Sequence, residues 1–160
     1  MIALLAGLAL VGFGLVAFGA RLARRGFIVG AVPMAAALVW AIVELPEITS
    51  GKVLTEHVGW VPGLGLNLDL RLDGLSATLP LLVAGVGVAV MLYAASYFAA
   101  DARDLGRLSG LLVLFCGSML ALVWADNVLV LYAGWELTSI TSFLLIGNRH
   151  TESRARAAAL

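Results

Sequence analysis

The sequence predicts an all-α membrane protein of about five transmembrane helices, because it is strongly apolar, sparsely charged and divided into long uncharged blocks. Of its 160 residues, 62% are hydrophobic and 12% are charged, whereas an ordinary soluble domain carries about 25% charged residues. A soluble chain of this length buries only about 70% of its surface. One core could not hide this much apolar surface, but a bilayer tolerates it.

Five blocks are long and apolar enough to cross a bilayer, which takes about 20 helical residues. They lie at about 1–20, 27–45, 75–98, 108–125 and 127–147. The first block lacks the basic start of a signal peptide and stays apolar throughout, so we predict a retained span. Together the spans are predicted to form a single membrane domain over residues 1–160.

The loop at about 53–73 predicts a small β-hairpin on the outer surface, between helices 2 and 3. Every even position from 64 to 72 is leucine, and the odd positions between them are glycine or polar. Strict alternation is typical of a strand with one buried face. A turn at 61–63 and a returning strand at 56–60 would complete the hairpin. Its leucine face must be covered, either by the helix ends or by a neighbouring subunit.

Lysine and arginine are unevenly divided between the two sides of the predicted bundle. The side of the N-terminus and the hairpin holds only Lys52 and Arg71. The other side holds Arg21, Arg24, Arg25, Arg103, Arg107, Arg149, Arg154 and Arg156. By the positive-inside rule the N-terminus lies outside and the C-terminal tail is cytoplasmic. We therefore expect a multi-pass protein of the cell (inner or plasma) membrane.

Several function classes are excluded or unsupported by the composition. The formal net charge is zero, and no basic stretch rich in aromatics indicates nucleic-acid binding. Cys116 has no second cysteine to pair with. His57 and His150 lie far apart and make no metal-ligand spacing. We predict neither a metal site nor a cofactor, and we expect the lipid bilayer as the surrounding partner.

One acidic residue interrupts the fifth span. Glu136 lies near its middle, where an ionisable side chain costs about 2.5–3.5 kcal/mol on insertion scales. Helical spacing puts Tyr132, Ser139 and Phe143 on the same side of the helix. Helix packing explains the hydroxyl groups of this span well, but it does not explain a glutamate. We therefore predict that Glu136 translocates protons, with Tyr132 and Ser139 in supporting roles.

The segment Trp135-Glu-Leu-Thr-Ser-Ile-Thr-Ser-Phe-Leu-Leu-Ile-Gly147 resembles a known pattern. It is similar to the fifth helix of the antiporter-like subunits shared by respiratory complex I and the Mrp-type Na+/H+ antiporters, and most of all to the N-terminal part of the A-type subunit of the Mrp antiporters. Arg71-Leu-Asp-Gly-Leu-Ser76, Tyr93-Ala-Ala-Ser-Tyr97-Phe98 and the run from Gly117 to Asn127 resemble further parts of the same family. The resemblance covers residues 70–147.

The resemblance implies the first part of an inverted-repeat fold in which Glu136 handles protons and is paired with lysines on later helices. It also implies other subunits of a Mrp-type or complex I-like assembly as partners, with protons and Na+ as the transported ions. Residues 151–160 read as the start of another helix, so we expect a fragment of a longer chain.

Three functions remain open at this point. The first is part of a cation/proton antiporter that couples proton translocation to Na+ export, which is a transporter and not an enzyme. The second is a proton-pumping subunit of a complex I-like NADH dehydrogenase or a membrane-bound hydrogenase. The third is a membrane scaffold that transports nothing.

Overall fold

The computed structural model describes residues 1–61, 63, 66–74, 76–99 and 104–147. This part of the chain contains five α-helices, one short 3-10 helix (Gly19–Arg21) and one two-stranded antiparallel sheet. The helices are α1 (Ile2–Phe18), α2 (Arg25–Thr49), α3 (Thr78–Tyr97), α4 (Leu105–Val123) and α5 (Val128–Ile146). The strands are β1 (Leu54–Val61) and β2 (Leu66–Leu72), between α2 and α3. The predicted fold class, five helices with one small hairpin, is confirmed.

Some of the sequence predictions concern positions outside the described residues. The further helix predicted to start at 151–160 lies there, and so does His150. The same holds for four of the arginines counted above, which are Arg103, Arg149, Arg154 and Arg156.

All five helices are long and apolar enough to cross a membrane. Their outward faces carry many exposed large apolar side chains, among them Leu10, which is 75% exposed, and Leu82, which is 61% exposed. Such faces are stable against lipid or against other membrane helices, but not against water.

Helix α2 runs further than hydropathy alone predicts. The apolar block ends near residue 45, where Glu44 and Glu47 lower the hydropathy, yet the helix continues to Thr49. It ends because Gly51 adopts a φ of +97°, and the N–H groups of Gly51 and Lys52 bond back to the carbonyls of Ile48 and Glu47. This Schellman arrangement stops a helix whatever its polarity.

Successive helices run in opposite directions, and the two ends of the bundle carry different loops and contacts. The hairpin end holds the starts of α1, α3 and α5, and there the N-terminal ammonium group bonds to Glu56 of β1. The opposite end holds the α1–α2 turn, where the ring of Phe27 stacks on that of Phe98 with their centroids 5.8 Å apart. Helix α4 is central, because it packs against each of the other four helices.

Glycines bring α4 into close contact with α1 and with the turn that follows α1. A Cβ atom added to Gly106 would lie 2.1 Å from the carbonyl carbon of Gly19, and one added to Gly110 would lie 2.7 Å from the carbonyl oxygen of Gly12. The atoms in the way are backbone atoms, which cannot swing aside. Small residues at such positions let membrane helices approach closely, so this glycine contact sets the distance between α1 and α4.

The hairpin lies across the helix ends and covers them with its leucine face. Leu70 and Leu72 are 2% and 1% exposed, and Trp124 beneath them is fully buried. The indole of Trp124 meets that of Trp40 edge to face, with centroids 5.5 Å apart. Of the two covers predicted for the leucine face, the structure therefore shows the helix ends.

Strand β2 also pairs with the corner that joins α4 to α5. Leu70 forms a β-bridge with Ala125. The N–H of Arg71 donates to the carbonyl of Trp124 over 2.7 Å, and the N–H of Asp126 donates to the carbonyl of Asp69 over 3.0 Å. The corner thus adds one β-bridge to the edge of the sheet and attaches the hairpin to the start of α5.

We predict that Gly106→Ala lowers the stability of the folded protein by about 1–3 kcal/mol, because the added methyl group overpacks a backbone contact. Gly14→Ala is the matched control: it lies in α1, and a Cβ there meets nothing within 4 Å. The measurement is the monodisperse fraction of each variant in detergent after stepwise heating. Equal losses in the two variants would contradict a role for the glycine contact.

Candidate functional site

Helix α5 carries the candidate site, and a side chain sets where it begins. Asn127 is extended, and its Oδ1 accepts the N–H of Val130 over 2.8 Å. An N-cap of this kind satisfies one of the amide groups left free in the first turn. Helix α5 therefore begins at a side-chain N-cap, with Asn127 as the capping residue.

The structure places Glu136 in the middle of α5 and on its outward face. At 1.5 Å per residue, it is roughly 12 Å from the first residue of the helix and 15 Å from the last. The inward face of α5 is made by Val130, Gly134 and Thr141, which are buried. Glu136 is exposed, so its carboxyl points away from the other four helices.

The predicted companions of Glu136 share this outward face. Tyr132 is 58% exposed and Phe143 is 49% exposed, and Ser139 is exposed as well. Trp135, at 61% exposure, lies beside them. The result is a stripe along the outward face of α5 that combines one carboxyl, two hydroxyl groups and three aromatic rings.

Of the two supporting residues, only Tyr132 interacts with Glu136. Its hydroxyl group lies one turn before Glu136, close enough for an electrostatic interaction with the carboxyl. The Ser139 hydroxyl instead donates to the carbonyl of Trp135 over 3.2 Å. Thr138 donates to the same carbonyl over 2.7 Å. These two hydroxyl groups satisfy the backbone of their own helix, as serine and threonine often do in membrane helices.

The ion pairs in the described part of the chain lie at the hairpin end, and none of them includes Glu136. They join Met1 to Glu56, Lys52 to Glu47, His57 to Asp69 and Arg71 to Asp73. The described residues also contain no group of three or more histidines, cysteines or acids that could hold a metal ion. Within that part, nothing basic neutralises the carboxyl of Glu136.

A second polar cluster, not predicted from the sequence, lies where the hairpin meets α5. His57 of β1 stands opposite Asp69 of β2 in the register, and the two side chains form an ion pair. The Asp69 carboxylate also accepts a hydrogen bond of 2.6 Å from the Asn127 amide. That bond lowers the pKa of Asp69, desolvation opposes it, and His57 lowers the pKa further.

Comparisons with known proteins give consistent results. Residues 60–105 match the family described as NADH-ubiquinone oxidoreductase (complex I), chain 5 N-terminus. A Rhizobium meliloti protein, named as the A/B subunit of a probable K(+)/H(+) antiporter, is 43% identical over 127 residues, covering 79% of this chain and 12% of that protein. A Staphylococcus epidermidis protein, named as an antiporter subunit mnhA2, is 38% identical over 119 residues, covering 74% of this chain and 15% of that protein.

The structural comparison agrees. A chain in the structure of the Mrp complex from Dietzia sp. DQ12-45-1b superposes with a TM-score of 0.68 at 35% identity, covering 89% of this chain and 16% of that chain. The protein belongs to the family of antiporter-like membrane subunits found in Mrp and complex I assemblies. The resemblance inferred from the α5 sequence is thereby confirmed. This antiporter-like chain spans between 12% and 16% of the lengths of the three matched proteins.

Proposed function

We propose that this chain is part of a cation/proton antiporter subunit in which Glu136 takes up and releases protons within the membrane, coupled to the export of Na+. The observation that carries the proposal is the place of Glu136: a single carboxyl in the middle of a membrane-spanning helix, on a face that no described helix covers.

The energetics of the carboxyl support a protein-covered site. A charged side chain at the centre of a bilayer costs about 2.5–3.5 kcal/mol on insertion scales, and a glutamate this deep is too short to reach the interface. Acids in membrane helices therefore face protein interiors or water-filled cavities. Since the chain spans only 12–16% of the matched proteins, further helices of the same polypeptide would cover the α5 face and supply a basic partner.

The same carboxyl is suited to moving a proton. In general, a basic partner favours the ionised form of a carboxyl, and exclusion of water favours its neutral form. A site poised between the two forms exchanges its proton when a neighbouring charge moves. In this proposal Tyr132 takes the supporting role, and we assign Ser139 to the same face without a contact to Glu136.

We further propose that the hairpin end lies outside the cell membrane and the arginine end lies in the cytoplasm. Among the described residues, the arginine end holds Arg21, Arg24, Arg25 and Arg107, and the hairpin end holds Lys52 and Arg71. Positive charge concentrates on cytoplasmic loops. The chain then forms one membrane domain within a longer subunit of a multisubunit complex.

A second candidate function rests on the family match to complex I chain 5. In this alternative the same carboxyl belongs to a proton-pumping subunit driven by electron transfer. The names of the two matched relatives, which are antiporter subunits, favour exchange.

We predict that Glu136→Gln abolishes cation-dependent proton flux while the complex still assembles. Glutamine keeps the shape and the hydrogen-bonding capacity of the side chain but cannot titrate. Glu136→Asp should keep part of the activity with a changed pH dependence, because its carboxyl is withdrawn by one methylene group. The measurement is Na+- and K+-driven proton flux in inverted vesicles that hold the full-length complex.

Glu44→Gln is the matched control, since it removes a carboxyl from α2 near the hairpin end and should leave the flux unchanged. Normal abundance together with normal flux in Glu136→Gln would exclude the proton site and leave the scaffold function. If flux in the wild type followed an electron donor instead of a cation gradient, the pumping function would replace exchange.

We predict opposite accessibility at the two ends of the bundle. In a Cys116→Ala background, Thr55→Cys in β1 should react with an impermeant maleimide from outside the cell, and Ala20→Cys in the α1–α2 turn should react only after the membrane is opened. Both positions are exposed. The reverse pattern would invert the proposed orientation, and equal labelling of both from outside would remove the five-span arrangement.

A further inference from the structure

The Asn127 side chain joins two structural elements at once. Its Oδ1 caps α5 through the N–H of Val130. Its Nδ2 donates to the Asp69 carboxylate over 2.6 Å and to the Asn67 carbonyl over 2.9 Å, both on β2. The orientation of the amide follows from these partners, because the donor side meets two acceptors and the acceptor side meets a donor. One side chain thus couples the first turn of α5 to the hairpin.

Asn127 lies nine residues before Glu136, which is roughly 13 Å along the helix axis. The intervening turns are regular helix, so a rotation or a shift at the first turn is passed on to the carboxyl. The hairpin that Asn127 holds is itself fixed: its buried Leu70 bridges to Ala125, and its leucine face covers the ends of the helices. The contact therefore fixes the rotation of α5, and its position along the helix axis, relative to the hairpin.

We propose that Asn127 is a positioning residue for Glu136: through its bond to Asp69, it sets the rotation and depth of α5 and thereby the environment in which the carboxyl titrates. This inference rests on the proposed function, since it concerns the placement of the proton-handling group.

A simple N-cap role is the alternative, and the contacts allow the two roles to be separated. Asn127→Ser keeps an oxygen that can cap the helix but removes both donors to β2. Asn127→Asp also keeps a capping oxygen, yet it sets a second carboxylate against that of Asp69. Combining Asn127→Asp with Asp69→Asn reverses the donor and the acceptor and restores the hydrogen bond between the two positions.

Several charged groups lie near this contact, and the variants also alter their surroundings. His57 pairs with Asp69 across the hairpin, and it faces an amide once Asp69→Asn is introduced. Arg71 lies two residues along β2 and pairs with Asp73. Asp126 adjoins Asn127 at the corner, and Glu56 lies on the opposite face of β1, bonded to the N-terminus.

The experiment compares the variants in the full-length complex by the rate and pH profile of cation-dependent proton flux, with complex abundance measured on the same vesicles. Asn127→Asp should slow exchange by about tenfold or more and shift the pH profile, since misplacing a reacting group by about 1 Å can cost 10²-fold. Asp69→Asn alone should have a smaller effect, because its amide oxygen can still accept from Asn127. The double variant should recover a large part of the rate and of the profile, since it restores the bond to position 69 and not the bond to the Asn67 carbonyl.

Asp73→Asn is the matched control, because it removes a carboxylate from the same end of the bundle and leaves the α5 contact intact. A wild-type pH profile in Asn127→Asp at normal abundance would overturn the inference. So would a double variant that assembles but recovers neither the rate nor the pH profile of the flux. If Asn127→Asp fails to assemble, Asn127→Ser decides: slow exchange with a shifted profile supports positioning, and a wild-type profile reduces Asn127 to a helix cap.

Glu136→Gln measured in parallel separates the two proposals. If it is inactive while every Asn127 variant behaves as the wild type, only the positioning role fails. If Glu136→Gln exchanges ions normally, the proposed function itself fails.

Discussion

A carboxyl in the middle of a membrane helix needs protein or water around it. The function proposed for this chain depends on that requirement. Glu136 is on the outward face of α5, and the buried face of the same helix is occupied by Val130, Gly134 and Thr141. In the proposed function, the five helices therefore supply only one side of the proton site. The energetic cost of a bare carboxylate in lipid requires its other sides to be protein or confined water.

The other helices and the hairpin hold this face of α5 in place. Helix α4 packs on α1 through backbone contacts at Gly106 and Gly110 that leave no room for a side chain. Helix α5 packs on α4 at Gly134, where an added Cβ would lie 2.9 Å from the amide nitrogen of Leu122. The hairpin then covers the ends of the helices and bonds to the α4–α5 corner. Close packing along the helix and hydrogen bonds at its end together leave α5 little freedom to turn.

The sequence was sufficient for features that depend on local pattern. Long uncharged blocks predicted the five helices, because a bilayer requires length and low polarity and little else. The leucine alternation predicted β2, because a strand with one covered face alternates. The end of α2 was missed, since hydropathy does not register the turn at Gly51 that stops the helix at Thr49.

Contacts between distant residues could not be predicted in the same way. The bond from Asn127 to Asp69 joins residues 58 positions apart, and it exists only because the hairpin register sets Asp69 beside the corner. Helical spacing was enough to place Glu136, Tyr132 and Ser139 on one side of the helix. It could not show that Ser139 would bond to the Trp135 carbonyl, nor that the shared face would point away from the other helices.

The central claim is that Glu136 gains and loses a proton while it remains inside the membrane. Infrared difference spectroscopy on the full-length complex, recorded between acidic and alkaline pH, measures this directly through the carbonyl stretch of protonated carboxyl groups. The account predicts a band that appears as the pH falls across the range in which the complex transports, and that is missing in Glu136→Gln but present in Glu44→Gln. A spectrum that is the same in Glu136→Gln and in the wild type over that range would contradict it.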